Sequence, residues 1–389
     1  MRARRLALVV PRCSAHALGG AEALALQLAA DLAAVYDVEI ITTCADDYWT
    51  WENVHPEGPD RVGGIAVRRF AVDAPRNMPE FDRLSRRFRY RIASLSVKEQ
   101  ETWLRAQGPY STSMLRFIAE TDRYDAFAFL TYLYATTYFG LPLVRDRAIL
   151  LPLAHDEWPL YFPIWDDFFD SVRSFAFASP ESLEFVRHRF PNSTISGDVI
   201  QPAIAGNRRE ADASAGIDRR PFILYVGRID QSKGVNDLCE LFENYVRSHP
   251  ASTWNLVLAG PYVGTPRQTE RIHYLGAVDE ATKYGLLGNC DLFAMPSYHE
   301  SLCIALLEAW GAGCASLVNG WNPVLVGQSQ RSNAGLWYRD QRSFDAALDL
   351  LDAPTRATLG KQGIAFVERY YARGNAVEVF GRALRRLGA

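Results

Sequence analysis

Residues 221–242 read PFILYVGRIDQSKGVNDLCELF, and this stretch decides the fold. The apolar run Phe222–Val226 predicts a buried strand, a loop with two glycines follows, and apolar positions at helical spacing predict a helix near Asn236–Ser248. A continuous apolar strand followed by a helix is typical of a parallel sheet covered on both faces. The alternation continues downstream through four more predicted strands: Leu256–Ala259, Ile272–Leu275, Leu292–Met295 and Ser316–Val318.

The N-terminal half contains a second series of the same kind. A strand at Leu6–Val10, a loop with Gly19 and Gly20, a helix at Ala21–Ala34 and a strand at Val38–Thr42 form a βαβ unit. Two such series in one α/β chain predict two Rossmann-like, doubly wound domains that face each other across a cleft. Four further strands are predicted in this half: Ile65–Phe70, Ala126–Leu130, Ala148–Pro152 and Ser174–Ala178.

The chain of 389 residues is long enough for these two domains. We predict an N-terminal domain over residues 1–205 and a C-terminal domain over 206–371, because the polar, glycine-containing stretch Pro202–Arg220 is the best linker. Residues 79–107 are charged and helical in pattern, which predicts a helical insertion in the first domain. A final helix within 372–389 is expected to pack back onto the N-terminal domain.

Composition and segment lengths indicate a cytoplasmic protein. The formal net charge of -3 argues against a protein built to bind nucleic acid. Six cysteines without a C-x-x-C pair, mostly inside apolar runs, suit a reducing compartment. Arg2, Arg4 and Arg5 precede an apolar run that is too short for a signal peptide. The longest apolar stretch, Phe127–Val144, is too polar for a membrane helix.

Two carboxylates eight residues apart, Glu300 and Glu308, flank the predicted start of a helix. Eight residues advance the helix by about 80°, so both side chains lie on roughly one side. We predict that the helix begins near Leu302, where the backbone N–H groups of Leu302, Cys303 and Ile304 form an anion site for a diphosphate. The alternative is that Glu300 only caps the helix and Glu308 is a surface residue.

Two cations follow the strand Phe222–Val226. Arg228 comes directly after Gly227, and Lys233 precedes Gly234. A guanidinium fork and an ammonium group beside glycines, at the end of a parallel strand, suit a ligand rich in phosphate. The alternative is a solvated surface loop.

Taken in order, these motifs resemble the family-4 retaining glycosyltransferases, which have the GT-B fold. The resemblance covers nearly the whole chain and is strongest from Pro221 to Ser316. It rests on Gly227-Arg228…Lys233-Gly234, Leu258-Ala-Gly260, His273-Tyr-Leu-Gly276, Met295-Pro-Ser297, and Glu300…Glu308 followed by Gly311-x-Gly313.

The resemblance implies roles for four residues. Arg228 and Lys233 match the pair that neutralises the leaving diphosphate. Glu300 matches the residue that contacts hydroxyls of the donor sugar, and Glu308 the residue that binds the nucleotide ribose. The resemblance also implies that the anomeric configuration of the sugar is retained.

The resemblance also places the nucleotide base and reveals one departure from the family pattern. The turn after Gly276, around Ala277 and Val278, matches the turn that lines the base pocket. The family usually has glycine where this chain has Cys303, and a side chain there could narrow the donor pocket.

In the N-terminal half, two short segments are candidate contacts with the donor. Glycines at Gly19 and Gly20 let the backbone approach a donor phosphate or an acceptor, although a plain tight turn explains them equally well. His155 follows the strand Ala148–Pro152 and resembles the family histidine that contacts the donor sugar near the reacting carbon. Its neighbour Asp156 is a candidate acceptor contact.

Tyr132 and Tyr134 follow another strand end, and either could stack on an acceptor sugar. An aromatic core stripe is the alternative reading of the same pattern.

No D-x-D triplet occurs in the chain, and the acidic cluster Asp166-Asp167-x-x-Asp170 has the pattern of a helix face. We therefore expect no bound metal and no other cofactor, with Arg228, Lys233 and the helix N-terminus supplying the electrostatic stabilisation.

The expected reaction transfers a hexose from a UDP- or GDP-linked sugar to a glycan, lipid-linked or small-molecule acceptor, in cell-surface polysaccharide synthesis. The alternatives are a sugar-nucleotide epimerase or a phosphorylase on the same fold, or a non-catalytic binding protein. A nicotinamide-linked dehydrogenase would need a G-x-G-x-x-G loop after the first strand, which is missing.

A segment rich in arginine suggests a contact with an anionic membrane at the inner face. Arginine suits both phosphate recognition and the membrane interface, but the arginines interleave with apolar residues rather than separating from them. The alternative is a solvated helix docked on the N-terminal domain. The arginines are Arg76, Arg83, Arg86, Arg87, Arg89 and Arg91.

Overall fold

A computed structural model of the chain describes residues 4–14, 19–204, 221–262 and 267–388. The chain divides into two compact units. Unit 1 comprises Met1–Ala203 with Arg373–Ala389, and unit 2 comprises Ile204–Ala372. The predicted boundary at residues 205 and 206, like most of the predicted linker, lies outside the described residues.

Unit 1 is built on a sheet of eight described strands in the order β3-β4-β2-β1-β5-β6-β7-β8. Neighbouring strands are parallel except for the β3–β4 hairpin at one edge. The central strands are buried along their length, as expected for a sheet covered on both faces. The strands are β1 (Arg5–Val9), β2 (Asp37–Thr43), β3 (Gly58–Val62), β4 (Ile65–Phe70), β5 (Ala126–Leu130), β6 (Ala148–Leu151), β7 (Phe175–Phe177) and β8 (Gly197–Val199).

Helices cover this sheet, and an aromatic core fills the space beneath them. Phe129, Trp165, Phe169 and Phe175 are fully buried in that core. The helices are α1 (Gly20–Leu32), α2 (Met78–Arg89), α3 (Val97–Gln107), α4 (Thr112–Glu120), α5 (Ala135–Gly140), α6 (Ile164–Ser171), α7 (Pro180–Arg189) and, from the end of the chain, α14 (Asn375–Arg386).

The last helix, α14, belongs to unit 1 although unit 2 precedes it in the chain. Its apolar face, which includes Phe380 and Ala383, is buried. The hydroxyl of Ser174 donates a hydrogen bond to the carbonyl of Ala383 at 3.1 Å, and Arg386 pairs with Asp198 of β8. Burial of one helical face therefore holds α14 against the edge of the first sheet.

The arginine-rich segment forms α2, and its two kinds of residue separate cleanly. Leu84 and Phe88, four residues apart, are buried against the core, whereas Arg83, Arg86 and Arg87 are exposed. Within α2 the predicted interleaving is wrong, because a period of 3.6 residues places Leu84 and Phe88 on the face opposite these arginines. Just beyond the helix, Tyr90 is exposed between two arginines, as the prediction had it.

Unit 2 is built on a fully parallel sheet of six described strands in the order β11-β10-β9-β12-β13-β14. Its first strand is the one predicted at Phe222–Val226, and it is buried along its whole length. The strands are β9 (Phe222–Val226), β10 (Asn255–Ala259), β11 (Ile272–Gly276), β12 (Leu292–Met295), β13 (Ser316–Asn319) and β14 (Gly335–Tyr338).

Side-chain caps fix the starts of several helices in unit 2. The carboxylate of Asp279 accepts a hydrogen bond from the N–H of Thr282 at 2.8 Å, and the side-chain oxygen of Asn322 accepts one from the N–H of Val324 at 3.0 Å.

In the described part of the chain, no helix combines the length and the apolar character needed to cross a bilayer. The helices of unit 2 are α8 (Val235–Ser248), α9 (Glu280–Asn289), α10 (Ile304–Gly311), α11 (Pro323–Ser332), α12 (Gln341–Leu350) and α13 (Ala353–Tyr370).

Each sheet has a point where the strand order reverses, and this determines where a ligand can bind. In unit 2 the reversal lies between β9 and β12, and in unit 1 between β1 and β5. The loops that leave the carboxyl ends of such neighbouring strands diverge and open a crevice, which is the usual ligand site of an open α/β sheet. In unit 2, Arg228 and Lys233 lie in the loop after β9, and Glu300 lies in the loop after β12.

Candidate functional site

An ion pair joins the two loops at the reversal point of unit 2. Nζ of Lys233, in the loop after β9, lies 2.6 Å from Oε1 of Glu300, in the loop after β12. Gly234 makes this approach possible, because its φ is +68° and a Cβ there would lie 2.5 Å from the carbonyl oxygen of Pro296. The two residues were predicted as separate parts of a donor site, and the structure brings them into direct contact.

Arg228 lies in the same loop and is held by two contacts. Its guanidinium pairs with the carboxylate of Asp230, and its carbonyl accepts a hydrogen bond from the hydroxyl of Tyr225 at 2.7 Å. Burial disfavours the charged form of Asp230, but hydrogen bonds from Ser232 and Arg228 and the charge of Arg228 lower the pKa of Asp230 below its usual value. A charged carboxylate therefore orients the guanidinium at the end of β9.

The hydroxyl of Tyr225 is kept neutral by its surroundings. Burial, together with the negative charges of Glu300 and Asp230, raises the pKa of Tyr225 well above its usual value. A neutral hydroxyl donates to the carbonyl of Arg228 and so supports the loop that carries both cations.

The helix after Glu300 begins two residues later than we predicted. It starts at Ile304, and Cys303 is its N-cap in the left-handed conformation, with φ 60° and ψ 73°. The prediction of a start near Leu302 is therefore wrong, and the N–H groups of the first helical turn begin at Ile304. The N–H of Leu306 already donates to the carbonyl of Cys303 at 3.2 Å.

Glu308 is a buried carboxylate in α10 rather than a surface residue. Its Oε1 accepts from Nζ of Lys283 at 2.9 Å and from the hydroxyl of Tyr284 at 3.1 Å. Burial disfavours the charged form of Lys283, but the carboxylates of Glu308 and Glu280 raise its pKa above the usual value. The alternative reading of Glu308 as a surface side chain is wrong, because only 6% of the residue is exposed.

The remaining predicted donor residues of unit 2 lie at the neighbouring strand ends. Gly227 follows β9, and a Cβ on Gly260, after β10, would lie 1.9 Å from the carbonyl oxygen of Gly227. Gly276 ends β11, and its carbonyl accepts the N–H of Gly260 at 2.8 Å. Val278 is half-buried just beyond it, before α9. The glycines thus allow three strand ends to pack backbone against backbone.

In unit 1, the predicted glycines border a buried ion pair that the sequence did not suggest. Gly19 caps α1, and Gly20 is its first residue. Arg12 and Glu22 are both buried, with Nε of Arg12 2.6 Å from Oε1 of Glu22. A Cβ on Gly19 would lie 1.8 Å from Oε2 of Glu22, so glycine is needed there to accommodate the pair. The preceding loop residues 15–18 lie outside the described residues.

His155 and Asp156 follow β6, as predicted, and a third residue beside them was missed. His155 is half-buried, and the carboxylate of Asp156 accepts the hydroxyl of Tyr161 at 2.7 Å. The carboxylate of Glu157 accepts a hydrogen bond from the hydroxyl of Tyr132 at 2.9 Å. Desolvation raises the pKa of Glu157 to about 7. No spacing in the sequence distinguishes Glu157, because its environment is created by β5 and the following helices.

The two tyrosines considered as acceptor contacts lie in different environments. Tyr132 is fully buried, and its ring packs edge-on against Trp165 with centroids 4.9 Å apart. A stacking role for Tyr132 is therefore wrong, because the aromatic core encloses its ring. Tyr134 is half-buried and contacts Trp51 with centroids 5.6 Å apart.

The described residues contain no group of three His, Cys, Asp or Glu side chains that could hold a metal ion. The acidic cluster of α6 forms part of a helix face, where Asp166 pairs with Arg189 at 3.0 Å. In unit 2, the carboxylates at the reversal point are paired with cations: Asp230 with Arg228, and Glu300 with Lys233.

A match to a known family covers most of unit 2. Residues 220–351 match the family described as Glycosyl transferases group 1. This range contains all the unit 2 residues discussed above, from Gly227 to Glu308.

Curated relatives match shorter parts of the chain. An N,N'-diacetylbacillosaminyl-diphospho-undecaprenol alpha-1,3-N-acetylgalactosaminyltransferase of Campylobacter jejuni is 30% identical over 156 residues, which is 37% of this chain and 39% of that protein. Glycogen synthase of Mycobacterium tuberculosis is 29% identical over 35% of each chain. Sulfoquinovosyl transferase SQD2 of Arabidopsis thaliana is 24% identical over 49% of this chain and 38% of its own. Each alignment spans less than half of the relative.

Solved structures match over nearly the whole length. An alpha,alpha-trehalose-phosphate synthase (UDP-forming) from Burkholderia xenovorans superimposes with a TM-score of 0.72 at 12% identity, covering 98% of this chain and 100% of that one. Sucrose-phosphate synthase from Thermosynechococcus elongatus gives 0.71 at 16% identity, with 99% of each chain covered. WaaG, a glycosyltransferase involved in lipopolysaccharide biosynthesis, gives 0.64 at 15% identity, with 97% and 99% covered. The chain thus has the GT-B fold, and its residues 220–351 match the group 1 glycosyltransferase family.

Proposed function

We propose that this chain is a retaining glycosyltransferase that transfers a hexose from a UDP- or GDP-linked donor. The observation that carries the proposal is the 2.6 Å contact of Lys233 with Glu300 at the reversal point of unit 2, with Arg228 in the same loop. A sugar diphosphate presents hydroxyls and two phosphates within one short molecule. A site for it needs a carboxylate and cations close together.

The diphosphate is assigned to the basic side chains. Arg228 can hold phosphate oxygens with its fork, and Lys233 adds a point charge. The first turn of α10, beginning at Ile304, adds backbone N–H groups and the positive end of a helix dipole. These groups stabilise the negative charge that develops on the leaving diphosphate, without a metal ion. Metal independence is part of the proposal.

The two glutamates are assigned to the two ends of the donor. Glu300 accepts hydrogen bonds from hydroxyls of the sugar. Its pairing with Lys233 links sugar recognition to phosphate recognition. Glu308 accepts ribose hydroxyls. Lys283 and Tyr284 hold Glu308 through Oε1, which fixes the orientation of its carboxylate.

The family resemblance supports retention of the anomeric configuration. None of the carboxylates described is assigned as a nucleophile, so we favour attack of the acceptor on the same face from which the diphosphate leaves, through an oxocarbenium-like state. The leaving phosphate oxygen then takes the proton of the acceptor hydroxyl. The resemblance gives His155 a contact with the donor sugar near the reacting carbon.

The acceptor is proposed to be a glycan, a lipid-linked saccharide or a small molecule, in cell-surface polysaccharide synthesis. The printed name of the Campylobacter relative includes a diphospho-undecaprenol group, and WaaG acts in lipopolysaccharide biosynthesis. We also propose a cytoplasmic location with peripheral contact to an anionic membrane. The exposed arginines of α2 support that contact.

Two other enzyme classes on this fold remain alternatives. An epimerase would convert the donor without an acceptor, and a phosphorylase would need inorganic phosphate and release a sugar phosphate. Product analysis with donor alone, and with donor plus phosphate, separates both from a transferase. A non-catalytic binding protein would bind donor without producing any of these products.

The proposed function is tested with a panel of UDP- and GDP-linked hexoses. A matching donor stabilises the folded state in proportion to its binding, so we expect a rise in melting temperature and slow hydrolysis of that donor. The control is Lys361→Ala, which removes an exposed lysine from α13 and should behave as wild type. If neither donors nor free UDP and GDP stabilise the protein, the assignment of this site to a nucleotide sugar is wrong.

A further inference from the structure

A cavity lies in unit 2 beside the residues assigned to the donor. Its volume is about 260 Å³, and it opens at the carboxyl ends of β12, β13 and β14, against α8. None of Arg228, Lys233, Glu300 and Glu308 lines it. The function proposed above therefore makes no use of this cavity.

An exposed indole dominates the cavity wall. Trp321 is 61% exposed, yet it is held in place by two hydrogen bonds. Its ring Nε1–H donates to the carbonyl of Arg339 at 3.0 Å, and its backbone N–H donates to the side chain of Asn319 at 2.9 Å. The guanidinium of Arg339 lies 5.2 Å from the ring centroid. A large aromatic ring that is fixed and exposed to water is a typical feature of a binding surface.

The backbone beneath the indole is tightly packed. The N–H of Gly320 donates to the carbonyl of Tyr338 at 2.6 Å, and Nε of Arg339 donates to the carbonyl of Gly320 at 3.0 Å. A Cβ on Gly320 would lie 2.8 Å from that same Tyr338 oxygen. The loops after β13 and β14 are thus joined, so the ring is positioned before any ligand arrives and little ordering free energy is lost on binding.

The charges of the lining exclude an anionic ligand. Asp237, Glu240 and Asp340 contribute three carboxylates, whereas Arg339 contributes one cation, so the lining carries a net charge of -2. Phosphates and acidic sugars would be repelled by this surplus of negative charge. This distinguishes the cavity from the donor residues, where each carboxylate described is paired with a cation.

The polar groups of the lining match the hydroxyls of a sugar. The side-chain amides of Asn244 and Gln341 bond to each other at 3.1 Å. Each amide oxygen keeps one lone pair and Nδ2 of Asn244 keeps one N–H, and the carboxylate of Asp237 adds acceptors. The hydroxyl of Tyr298, which is 42% exposed, donates to Asp237 at 3.0 Å. An aromatic face surrounded by amides and carboxylates provides apolar contact for the C–H face of a sugar ring and hydrogen bonds for its edge.

We propose that this cavity binds a neutral saccharide unit of an oligosaccharide. Its volume lies just below the range for ligand pockets, about 300–1,000 Å³, which suits a single sugar ring. Resting on the proposed glycosyltransferase function, the bound unit would belong to the acceptor or the product glycan, at a position that does not react. Saccharide binding itself requires no donor and no transfer.

The test is titration calorimetry of the full chain, without any donor, against three neutral hexasaccharides: maltohexaose, mannohexaose and chitohexaose. We expect at least one to bind, and Trp321→Ala to weaken that binding at least tenfold. The matched control is Trp337→Ala, which removes a tryptophan of β14 that is 39% exposed but does not line the cavity, and which should bind as wild type. An acidic heparin hexasaccharide should bind more weakly than the neutral probe.

Three results would overturn the proposal: no binding of the neutral probes by wild type, equal binding by Trp321→Ala, or Trp321-dependent binding that is tighter for the heparin probe. Donor hydrolysis is measured on the same preparations. Hexasaccharide binding through Trp321 without any donor turnover would contradict the proposed function and leave this site standing. Donor turnover without hexasaccharide binding would support the proposed function and contradict the saccharide site.

Discussion

Nζ of Lys233 and Oε1 of Glu300 lie 2.6 Å apart, although 67 residues separate them in the chain. The contact joins the loops after β9 and β12, the neighbouring strands between which the order of the second sheet reverses. Their side chains are 27% and 15% exposed, so the pair is partly shielded from water but remains in contact with it. Under the proposed function, a donor diphosphate would share Lys233 with Glu300.

The first prediction concerns the two cations. Lys233→Ala or Arg228→Ala should lower transferase turnover roughly 10²–10³-fold, because each removes one preorganised contact to the leaving group. Melting temperatures should stay close to wild type, since neither side chain belongs to the core. Steady-state kinetics with the best donor from the panel measures the loss, with Lys361→Ala as the control. Full activity in both variants would remove the donor assignment from this loop.

The second prediction concerns metal ions. Turnover should persist in excess EDTA, because Arg228, Lys233 and the N-terminus of α10 supply the charge stabilisation that a metal would provide in other sites. The measurement compares initial rates before and after chelation, and again after adding Mg²⁺ or Mn²⁺. Loss of activity that either ion restores would contradict the metal-free mechanism.

The arrangement of the sheets could be predicted from the sequence because the central strands are short, continuous apolar runs. β4, β5, β9 and β12 have the predicted bounds, and the other predicted strands differ by one residue at one or both ends. Three strands were missed: β3, β8 and β14. β3 reads GPDRV on an exposed edge, and β8 has three half-buried residues, so neither has a periodic apolar signal. β3 and β8 form because a neighbouring strand offers hydrogen bonds, which cannot be predicted from the local sequence.

The site was predictable where chemistry follows a strand end and unpredictable where it depends on packing between helices. Arg228, Lys233 and Glu300 follow β9 and β12, and the strand signals were sufficient to place them. The helix start was misplaced because Cys303 adopts the left-handed conformation, which a non-glycine residue rarely does. Glycine adopts this backbone conformation without strain, which explains why the family usually has glycine at this position. Lys283, the partner of Glu308, lies on another helix, and no spacing connects the two.

The third prediction concerns the buried pair of Lys283 and Glu308. Their side chains are only 15% and 7% exposed, so removing one partner leaves an uncompensated charge in a poorly solvated place. Lys283→Met should lower the free energy of unfolding by about 2–4 kcal/mol. Glu308→Gln should raise the KM for the donor, because it alters the group assigned to the ribose.

The double variant Lys283→Met/Glu308→Gln provides the control. It removes both charges, so its stability should recover toward wild type, giving a coupling free energy of about 1–3 kcal/mol in a double-mutant cycle by urea denaturation. Strictly additive losses would mean that the pair contributes nothing as a pair.

The fourth prediction uses Glu157, whose pKa is raised from 4.5 to about 7 by desolvation. Between these two values the folded protein binds a proton that the unfolded chain releases, so stability is present in full below about pH 4.5 and falls as the pH rises through 7. Relative to Glu157→Gln, wild type should lose about 2–3 kcal/mol between pH 5 and pH 8. Glutamine keeps an oxygen that can accept the hydroxyl of Tyr132.

Urea denaturation at a series of pH values measures this difference. Glu120→Gln, at an exposed position on α4, is the control and should follow the pH dependence of wild type. Parallel curves for wild type and Glu157→Gln would show that the carboxyl of Glu157 ionises with an ordinary pKa.

The last prediction concerns the exposed arginine face of α2. Arg83, Arg86 and Arg87 point away from the core, which α2 contacts through Leu84 and Phe88. Each basic residue near an anionic bilayer contributes about 1 kcal/mol, so three can hold the protein there reversibly. Wild type should co-sediment with vesicles containing phosphatidylglycerol at low salt and dissociate as the salt concentration rises, because the attraction is screened.

A variant with Arg83, Arg86 and Arg87 all changed to Ser should bind these vesicles at least tenfold more weakly. The matched control changes Arg116, Arg123 and Arg145 to Ser, three exposed arginines on other elements of unit 1, so both variants lose the same net charge. Weak binding by the α2 variant with wild-type binding by the control would locate the contact on α2. If both variants bind equally, or wild type does not bind at all, α2 is only a solvated helix that covers the core, and a soluble acceptor becomes the better hypothesis.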